Sequence, residues 1–407
     1  MVYDLLLKNA TVIDPAQNLD GRFDVAVDGD RITAVAPSIV GEARQVVDLE
    51  GKILTPGWID IHAHIFAGFT TWGFKADALC LSTGVTTIVD AGSPGWANFL
   101  AFKEFIVEPA RTQMLTFVHI SGIGLTYGPA GEMTDMRYAA PEQTAFVIQE
   151  WPDICVGVKV RQAAFQVGDN GVEPLRLAVE AGRLSGTPVM VHIGAGVALP
   201  DVLAGMRPGD IATHCYQGHG DHILGDGTEV IAEVWQARER GILFDLGHGG
   251  GSFNFEVAKR ALANGFVSDI ISTDIHSSSF ESTVQSLPDA ASKLLNLGID
   301  LRDIVRQTTA AAAASIHRDD ELGTLRPGTI ADLAAFEILE GEYEFFDTHR
   351  QPHPGSALIS PVLTVRAGQV YRPDDLRAEV EQEARRSAQT IRAIAGSNAA
   401  ALQQLKQ

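Results

Sequence analysis

The stretch Trp58-Ile59-Asp60-Ile61-His62-Ala63-His64 begins a series of short apolar segments that sets the fold of this 407-residue chain. Seven further segments follow, each separated from the next by enough residues for a crossover helix. The eight predicted strands end near these residues: His64, Asp90, His119, Val160, His192, His214, Asp245 and Asp274. Apolar strands that alternate with helical segments are typical of a parallel sheet. The sequence therefore predicts an α/β protein with a (β/α)8 TIM-type barrel.

The two ends of the chain have a different pattern, in which apolar and polar residues alternate. Turn signals such as Asp28-Gly29 separate these runs before residue 58, and similar runs return at 331–336 and 362–370. Such alternation predicts antiparallel strands with one buried face. We therefore expect a small split β-sandwich from residues 1–57 and 324–372, the barrel over 58–323, and a C-terminal helix over 373–407. That helix is either a surface helix on the barrel or an oligomer contact.

Composition and charge exclude several classes of partner. The formal net charge is −20, and nucleic-acid binding needs Lys and Arg to neutralise phosphates, so we expect no nucleic-acid partner. No apolar run approaches the roughly 18 residues of a membrane span, and acidic Asp4 stands where a secretory signal is basic. We expect a cytoplasmic protein without membrane contact that acts on a small molecule. A homo-oligomer is left open, and the 3 scattered cysteines predict no disulfide framework.

Histidines stand at the ends of several predicted strands. His62 and His64 are two residues apart, so their side chains point to the same side of a strand and can share one cation. Ordinary hydrogen bonding would also satisfy this pair. His192, His214 and Asp274 each end another apolar strand, although each alone is compatible with a core residue or a helix N-cap. Because active sites of such barrels gather at the carboxyl ends of the strands, the set predicts a site for Zn²⁺ or a similar ion.

Lys159 lies at the end of the apolar run that begins at Cys155, and it would point at the same centre. An ammonium group has no lone pair and is repelled by a dication, so an ordinary lysine cannot be a ligand. Carboxylated by CO₂, the side chain would instead be a carbamate able to bridge two metals. A lysine paired with a barrel carboxylate such as Asp90 is the alternative, and the sequence leaves both open.

The order His-x-His, Lys, His, His, Asp on strands one, four, five, six and eight resembles the amidohydrolase superfamily. The likeness covers almost the whole chain. It includes residues 48–60 (DLEGKILTPGWID) and 323–333 (GTLRPGTIADL), which are typical of the split sandwich of that family. More narrowly, residues 214–218 (HCYQG) and 247–253 (GHGGGSF) resemble a deacetylase-like branch related to the dihydroorotases.

The resemblance also implies a role for each ligand. His62, His64 and Asp274 would hold the more buried metal, His192 and His214 the more exposed one, and carboxylated Lys159 with a hydroxide would bridge them. The implied cofactors are two divalent ions, with Zn²⁺ as the expected metal. Such ions lower the pKa of water towards ~7 and polarise the substrate carbonyl. Asp274 would be the catalytic acid/base that passes the hydroxide proton to the leaving group.

Three residues are predicted to contact the substrate. Arg161 lies two residues after Lys159 and either binds a substrate carboxylate bidentately or forms a simple surface salt bridge. His276 lies two residues after Asp274, and Tyr127 lies on the glycine-rich loop after the third strand. The glycines of 247–251 would let the backbone approach a ligand, although a flexible turn has the same composition.

Three functions follow from this pattern. The first is a binuclear hydrolase in which metal-bound hydroxide removes an acyl group, acetyl being expected, from a carboxylate-bearing amide or ester. Its substrate would be an N-acyl amino acid or an O-acyl hydroxy acid. The second is a cyclic amidohydrolase that opens a dihydroorotate- or hydantoin-like ring with the same metals. The third is a non-catalytic scaffold, against which the complete ligand set argues.

Overall fold

A computed structural model describes residues 2–128, 130–280 and 282–404, with side chains up to residue 393. Its strands are β1 (Val2–Asp14), β2 (Leu19–Asp28), β3 (Arg31–Ala36), β4 (Glu42–Asp48), β5 (Ile53–Pro56), β6 (Trp58–Ala63), β7 (Val85–Gly95), β8 (Gln113–His119), β9 (Cys155–Gln162), β10 (Val189–Ile193), β11 (Ile211–Thr213), β12 (Leu243–Asp245), β13 (Leu333–Phe346), β14 (Pro352–Arg366) and β15 (Gln369–Tyr371). Its helices are α1 (Asp77–Ser82), α2 (Phe99–Phe102), α3 (Pro141–Glu150), α4 (Ala164–Val167), α5 (Glu173–Ser185), α6 (Leu199–Gly205), α7 (Ala232–Glu239), α8 (Phe255–Ala263), α9 (Leu287–Asn296), α10 (Leu301–Thr308), α11 (Ala310–Ser315) and α12 (Pro373–Gln404).

The central part of the chain is a curled parallel sheet of the TIM-barrel type. Strands β6 to β12 form a sheet of 7 strands that lie side by side in chain order, and helices connect them. Buried residues from strands that are not neighbours meet in a single cluster, which includes Ile59, Leu115, Met190 and Ile211. Because distant strands share this cluster, the sheet must curl around it. The carboxyl ends of the strands consequently converge on one mouth.

The segment predicted as the eighth strand closes the curl without forming a regular strand. Ile270 pairs with Asp245 and Ile275 pairs with Ala63, each through an isolated parallel bridge. Between these bridges, the Asp60 carboxylate accepts hydrogen bonds from the backbone N–H and the hydroxyl of Thr273. A side chain thus replaces part of the usual backbone ladder. This leaves the chain free to turn sharply at the end of the segment.

Both ends of the chain enter a second sheet of 8 strands. Its order is β15-β14-β13-β5-β1-β2-β3, with β4 also paired to β1. Alternate apolar residues from the two ends form one core, in which Leu7 and Val27 pack with Leu333 and Val365. This shared core follows from the alternating pattern of the sequence. The sandwich arrangement and the predicted unit boundaries stay predictions.

Strands β13 and β14 form a long hairpin that extends from this sheet to the barrel mouth. They remain paired from Leu333↔Val365 to Phe346↔Pro352. Along this path the Asn296 amide on α9 donates to Ala357 O at 2.7 Å and its oxygen accepts from Ser356 N at 2.7 Å. The hairpin is therefore fastened to a barrel helix before it turns.

The terminal helix α12 contacts the barrel beside α1. Glu383 accepts a hydrogen bond from Lys75 N at 2.9 Å, and Glu379 pairs with Arg111 at 2.7 Å. Residues 405–407 of the predicted helix lie outside the described residues. Over the ranges that the structure describes, no helix is both long enough and apolar enough to cross a bilayer.

Candidate metal centre

Three of the predicted ligands, His62, His64 and Asp274, converge at the mouth of the barrel. Their ligand atoms all lie within 4.8 Å of one another. Asp274 Oδ1 is 3.1 Å from His64 Nε2 and 3.3 Å from His62 Nε2. Asp274 has a φ of 45° and His214 a φ of 77°, in the left-handed region that non-glycine residues rarely adopt. Strained backbone of this kind clusters at functional sites.

The imidazoles of His62, in β6, and His64, just after it, are each oriented by a hydrogen bond at Nδ1. Thr213 Oγ1 donates to Asp245 Oδ2 at 2.6 Å, so its oxygen is left to accept from His62 Nδ1 at 2.9 Å. His64 Nδ1 lies 2.9 Å from Ser93 Oγ. The Nε2 lone pair of His62 is thereby directed at the centre. Metal-binding histidines are commonly held by such partners.

The two remaining histidines stand beside this group. The ring centroids of His192 and His214 are 4.4 Å apart, and those of His62 and His214 are 5.0 Å apart. His214 Nδ1 donates to Gly247 O at 2.7 Å, because a carbonyl oxygen can only accept. Its Nε2 therefore carries the lone pair.

Burial keeps all four imidazoles uncharged at neutral pH. It lowers the pKa of His214 to about 4 and moves the pKa of His62, His64 and His192 well below the ordinary value. Neighbouring cationic groups add to the effect, with Lys159 contributing at His62 and His64. A neutral imidazole is the form that binds metal, so these four side chains are ready to act as ligands.

Lys159 lies in the same cluster and is only 1% exposed. Its Nζ is 3.3 Å from His62 Nε2, and no ion pair joins it to any carboxylate among the described residues. Asp90, the alternative partner, instead accepts hydrogen bonds from Ile65 N and Ser93 N. Burial lowers the pKa of Lys159 to about 7, although the carboxylates of Asp274 and Asp245 act in the opposite direction. A buried lysine with this pKa is partly a neutral amine at neutral pH.

The donor set fits divalent metal. Six predicted ligands line one pocket of about 410 Å³: His62, His64, Lys159, His192, His214 and Asp274. Neutral imidazoles and a carboxylate are the donors that Zn²⁺ and similar ions prefer. Asp245, which the sequence leaves at a strand end, supports the set from behind through Thr213.

The predicted substrate residues have different positions. Arg161 lines the pocket, but its Nε and Nη2 donate to Glu132 at 2.8 Å and 2.6 Å, so it forms a buried ion pair and no surface salt bridge. His276 lines the pocket, and its Nδ1 accepts from Ser278 N at 3.3 Å, so its Nε2 carries the proton. Tyr127 is 48% exposed and does not line the pocket.

Several lining residues have no signal in the sequence. Trp72 lies beneath Arg161, with the guanidinium carbon 5.2 Å from the ring centroid, and its centroid is 5.7 Å from that of His276. Arg350 reaches the pocket from the β13–β14 hairpin. Trp72 lies in the loop after β6 and meets Arg161 and His276, which are distant along the chain, whereas Arg350 itself comes from a distant segment. Local patterns of apolar and polar residues carry no information about such contacts.

Comparison with known proteins agrees with this geometry. Residues 252–361 match the Amidohydrolase family. A deacetylase of Enterococcus faecalis is 35% identical over 376 residues, which cover 91% of this chain and 100% of that protein. A deacetylase of Agrobacterium fabrum is 34% identical over 346 residues, covering 84% of this chain and 85% of that protein.

Solved structures are similar to this chain in both fold and sequence. A crystal structure described as an adenine deaminase has a TM-score of 0.86 at 35% identity and covers 91% of this chain and 100% of that chain. One described as a dihydroorotase has a TM-score of 0.82 at 30% identity, covering 90% and 97%. The fold and the clustered donors define a hydrolytic enzyme of the TIM-barrel type. The chain belongs to the amidohydrolase superfamily, in its deacetylase-like branch.

Proposed function

We propose that this enzyme is a binuclear metal-dependent hydrolase that removes an acyl group, acetyl in the first instance, from a small carboxylate-bearing amide or ester. The observation that carries the proposal is the convergence of four neutral imidazoles, one carboxylate and one buried lysine in a single pocket. The similarity to proteins named deacetylases, over most of the chain, supports the acyl group.

In this proposal the residues divide between two ions. His62, His64 and Asp274 would hold the more buried ion and His192 and His214 the more exposed one, and carboxylated Lys159 would serve as a ligand to both. When bound, Zn²⁺ or a similar ion lowers the pKa of water towards ~7 and polarises a carbonyl group. The chain itself supplies the orientation of the ligands.

Lys159 is suited to carboxylation because of its burial. Its neutral amine forms a bond from Nζ to the carbon of CO₂, and one Nζ proton is released to solvent. The product is a carbamate whose two oxygens carry the negative charge. A pKa of about 7 leaves a large fraction of the amine neutral at physiological pH, which this addition requires. Gly92 makes room, since a Cβ there would lie 2.5 Å from Lys159 Cβ.

Asp274 is suited to move the proton. Its backbone N–H donates to His62 O at 2.6 Å, which fixes the left-handed turn that points the carboxylate into the pocket. The residue is 9% exposed, so its carboxylate reaches both the ligand cluster and the open cavity. It can accept a proton at Oδ2 and deliver it to the leaving amine or alkoxide of the substrate.

A cyclic amidohydrolase is the second candidate, because a structure described as a dihydroorotase shares 30% identity and the fold. Both reactions need the same attack by water on a carbonyl carbon. They differ in the substrate that the loops around the mouth accept. Deamination of adenine is a third outcome to be tested, because of the structure described as an adenine deaminase.

The test is a substrate screen with zinc-reconstituted enzyme in bicarbonate buffer. N-acetyl amino acids and O-acetyl hydroxy acids of both configurations are assayed for acetate release. Dihydroorotate and hydantoins are assayed for ring opening, and adenine for ammonia release. Acetate release with about two metal equivalents per chain is the expected result. Ring opening or ammonia release without acetate release would overturn the proposal, as would full activity in metal-free enzyme.

A further inference from the structure

The proposed substrate carries a carboxylate, and the pocket must hold it away from the reacting carbonyl. Arg161 is poorly available for this role. The edge of its guanidinium formed by Nε and Nη2 is occupied by Glu132, and Nη2 also donates to Gly128 O at 3.2 Å. Both protons of Nη2 are thus used. The bidentate contact that the sequence analysis predicted for a substrate carboxylate is instead made with Glu132.

Arg350 is a second arginine in the lining of the same pocket. It lies in the turn of the β13–β14 hairpin, where its φ is 57°. The Arg350 side chain is exposed, and within the described ranges its guanidinium has no hydrogen bond and no ion pair. All of its donors are therefore free for an anion. A free guanidinium matches a carboxylate in shape and charge.

The backbone under Arg350 is held firmly against the barrel loops. Asp347 is buried, and its carboxylate accepts hydrogen bonds from Phe255 N, His349 N and Gln351 N. Thr348 Oγ1 donates to Phe253 O at 2.7 Å. These contacts tie the turn to the residues that follow the glycine-rich loop of the pocket. The position of Arg350 is consequently fixed while its side chain remains free.

The positive charge of Arg350 is relevant because the rest of the protein is strongly acidic. The chain carries a formal net charge of −20, which does not favour the approach of an anionic substrate. A cationic group at the pocket offsets this repulsion locally. We propose that Arg350 binds the substrate carboxylate, so that the hairpin of the second sheet supplies a specificity-determining residue to the barrel site. This inference rests on the proposed function for the identity of the anion.

The test compares acids with their neutral amides in Arg350→Gln and Arg350→Lys. The probes are N-acetylalanine and O-acetyllactate, each with its carboxamide. Loss of one charge-assisted hydrogen-bonded contact corresponds to a rise in KM of roughly 10- to 100-fold. We expect that rise for the acids in Arg350→Gln, little change for the carboxamides, unchanged kcat and metal content, and partial recovery in Arg350→Lys. Gln351→Ala, in the same turn but outside the pocket, is the matched control.

Equal effects on acids and carboxamides, or no effect on the acids, would overturn the inference while leaving the proposed function intact. If the wild type hydrolyses none of these compounds, the proposed function fails on its own. Calorimetric binding of N-acetylalanine to the zinc-loaded proteins then decides the inference. Weaker binding to Arg350→Gln than to the wild type and to Gln351→Ala supports it. Equal binding, or no binding to the wild type, contradicts it.

Discussion

At the scale of single residues, the site combines backbone strain with neutral nitrogen donors. Asp274 and His214 both adopt left-handed φ values, which only surrounding contacts can maintain. Asp274 N donates to His62 O, and His214 N donates to Asp245 O at 3.1 Å. These bonds hold two of the predicted ligands in conformations that the chain would otherwise avoid. The strain is therefore linked to the direction in which the ligands point.

Lys159→Ala is expected to lose one metal ion and most of the activity. The carbamate proposed to bridge the ions cannot form on alanine, and His62 loses its neighbour at 3.3 Å. Metal content by mass spectrometry and the rate of acetate release measure the two effects. Added short carboxylic acids should restore part of both effects. Lys103→Ala, at a half-buried lysine that does not line the pocket, is the control. A variant that keeps two metals and full rate contradicts the bridged site.

Asp274→Asn is expected to lower kcat by roughly 10²- to 10⁴-fold, the usual contribution of a general acid/base. The amide keeps the size of the side chain but cannot take up the proton. The comparison of kcat with KM and metal content separates proton transfer from binding. If kcat falls by less than tenfold with metal retained, another group moves the proton.

At the scale of elements, the loop after β12 is shaped by its glycines. Gly249 has a φ of +54°, and a Cβ there would lie 2.3 Å from Asp274 Oδ2. Gly251 has no such strain, since its nearest neighbour would be His219 Nε2 at 3.6 Å. The two glycines share a loop but differ in what they touch. Only the first is required by the position of the carboxylate.

Gly249→Ala should therefore lower activity strongly, and Gly251→Ala should change it little. The added methyl group at 249 must displace the Asp274 carboxylate or move the loop. Rate and metal content are measured for both variants, with circular dichroism as a check on folding. Similar activities in the two variants would show that the close approach of Gly249 to the Asp274 carboxylate does not affect the reaction.

At the scale of the whole molecule, Glu132 connects parts of the barrel behind the pocket. Its carboxylate pairs with Arg161 at 2.6 Å, and His119 Nε2 lies 3.3 Å from it. Burial alone would raise the pKa of Glu132, but the charge of Arg161 and its hydrogen bonds, with His119, lower it to about 2. Two buried groups from different strands, Arg161 and His119, thus face the single charge of Glu132.

Glu132→Gln should destabilise the protein at neutral pH by about 3 kcal/mol or more, because Arg161 is left buried without its counter-charge. The folded pKa lies below the unfolded value of about 4.3, so the contribution of Glu132 is present above that pH and is lost as pH falls towards about 2. The difference in melting temperature between metal-free wild type and variant is measured from about pH 7 to pH 3. It should be constant above about pH 5 and narrow below, and a constant gap throughout contradicts the assignment.

The sequence determined the curled parallel sheet and indicated six candidate ligands, because the alternation of apolar and helical segments and the position of a residue near a strand end are local properties. It placed His62, His64, His192, His214, Asp274 and Lys159, and all six line one pocket. It also left Lys159 open between metal ligation and a pair with Asp90, and the structure shows no such pair.

Only the tertiary structure decided what surrounds those ligands. The pairing of Arg161 with Glu132 depends on a loop that returns over β9, and the arrival of Arg350 depends on a hairpin from the other sheet. In the eighth segment, Thr273 donates hydrogen bonds to the Asp60 carboxylate, and these replace part of the regular strand ladder. Contacts between distant segments arise from the packing of the whole chain, so no local period or motif encodes them.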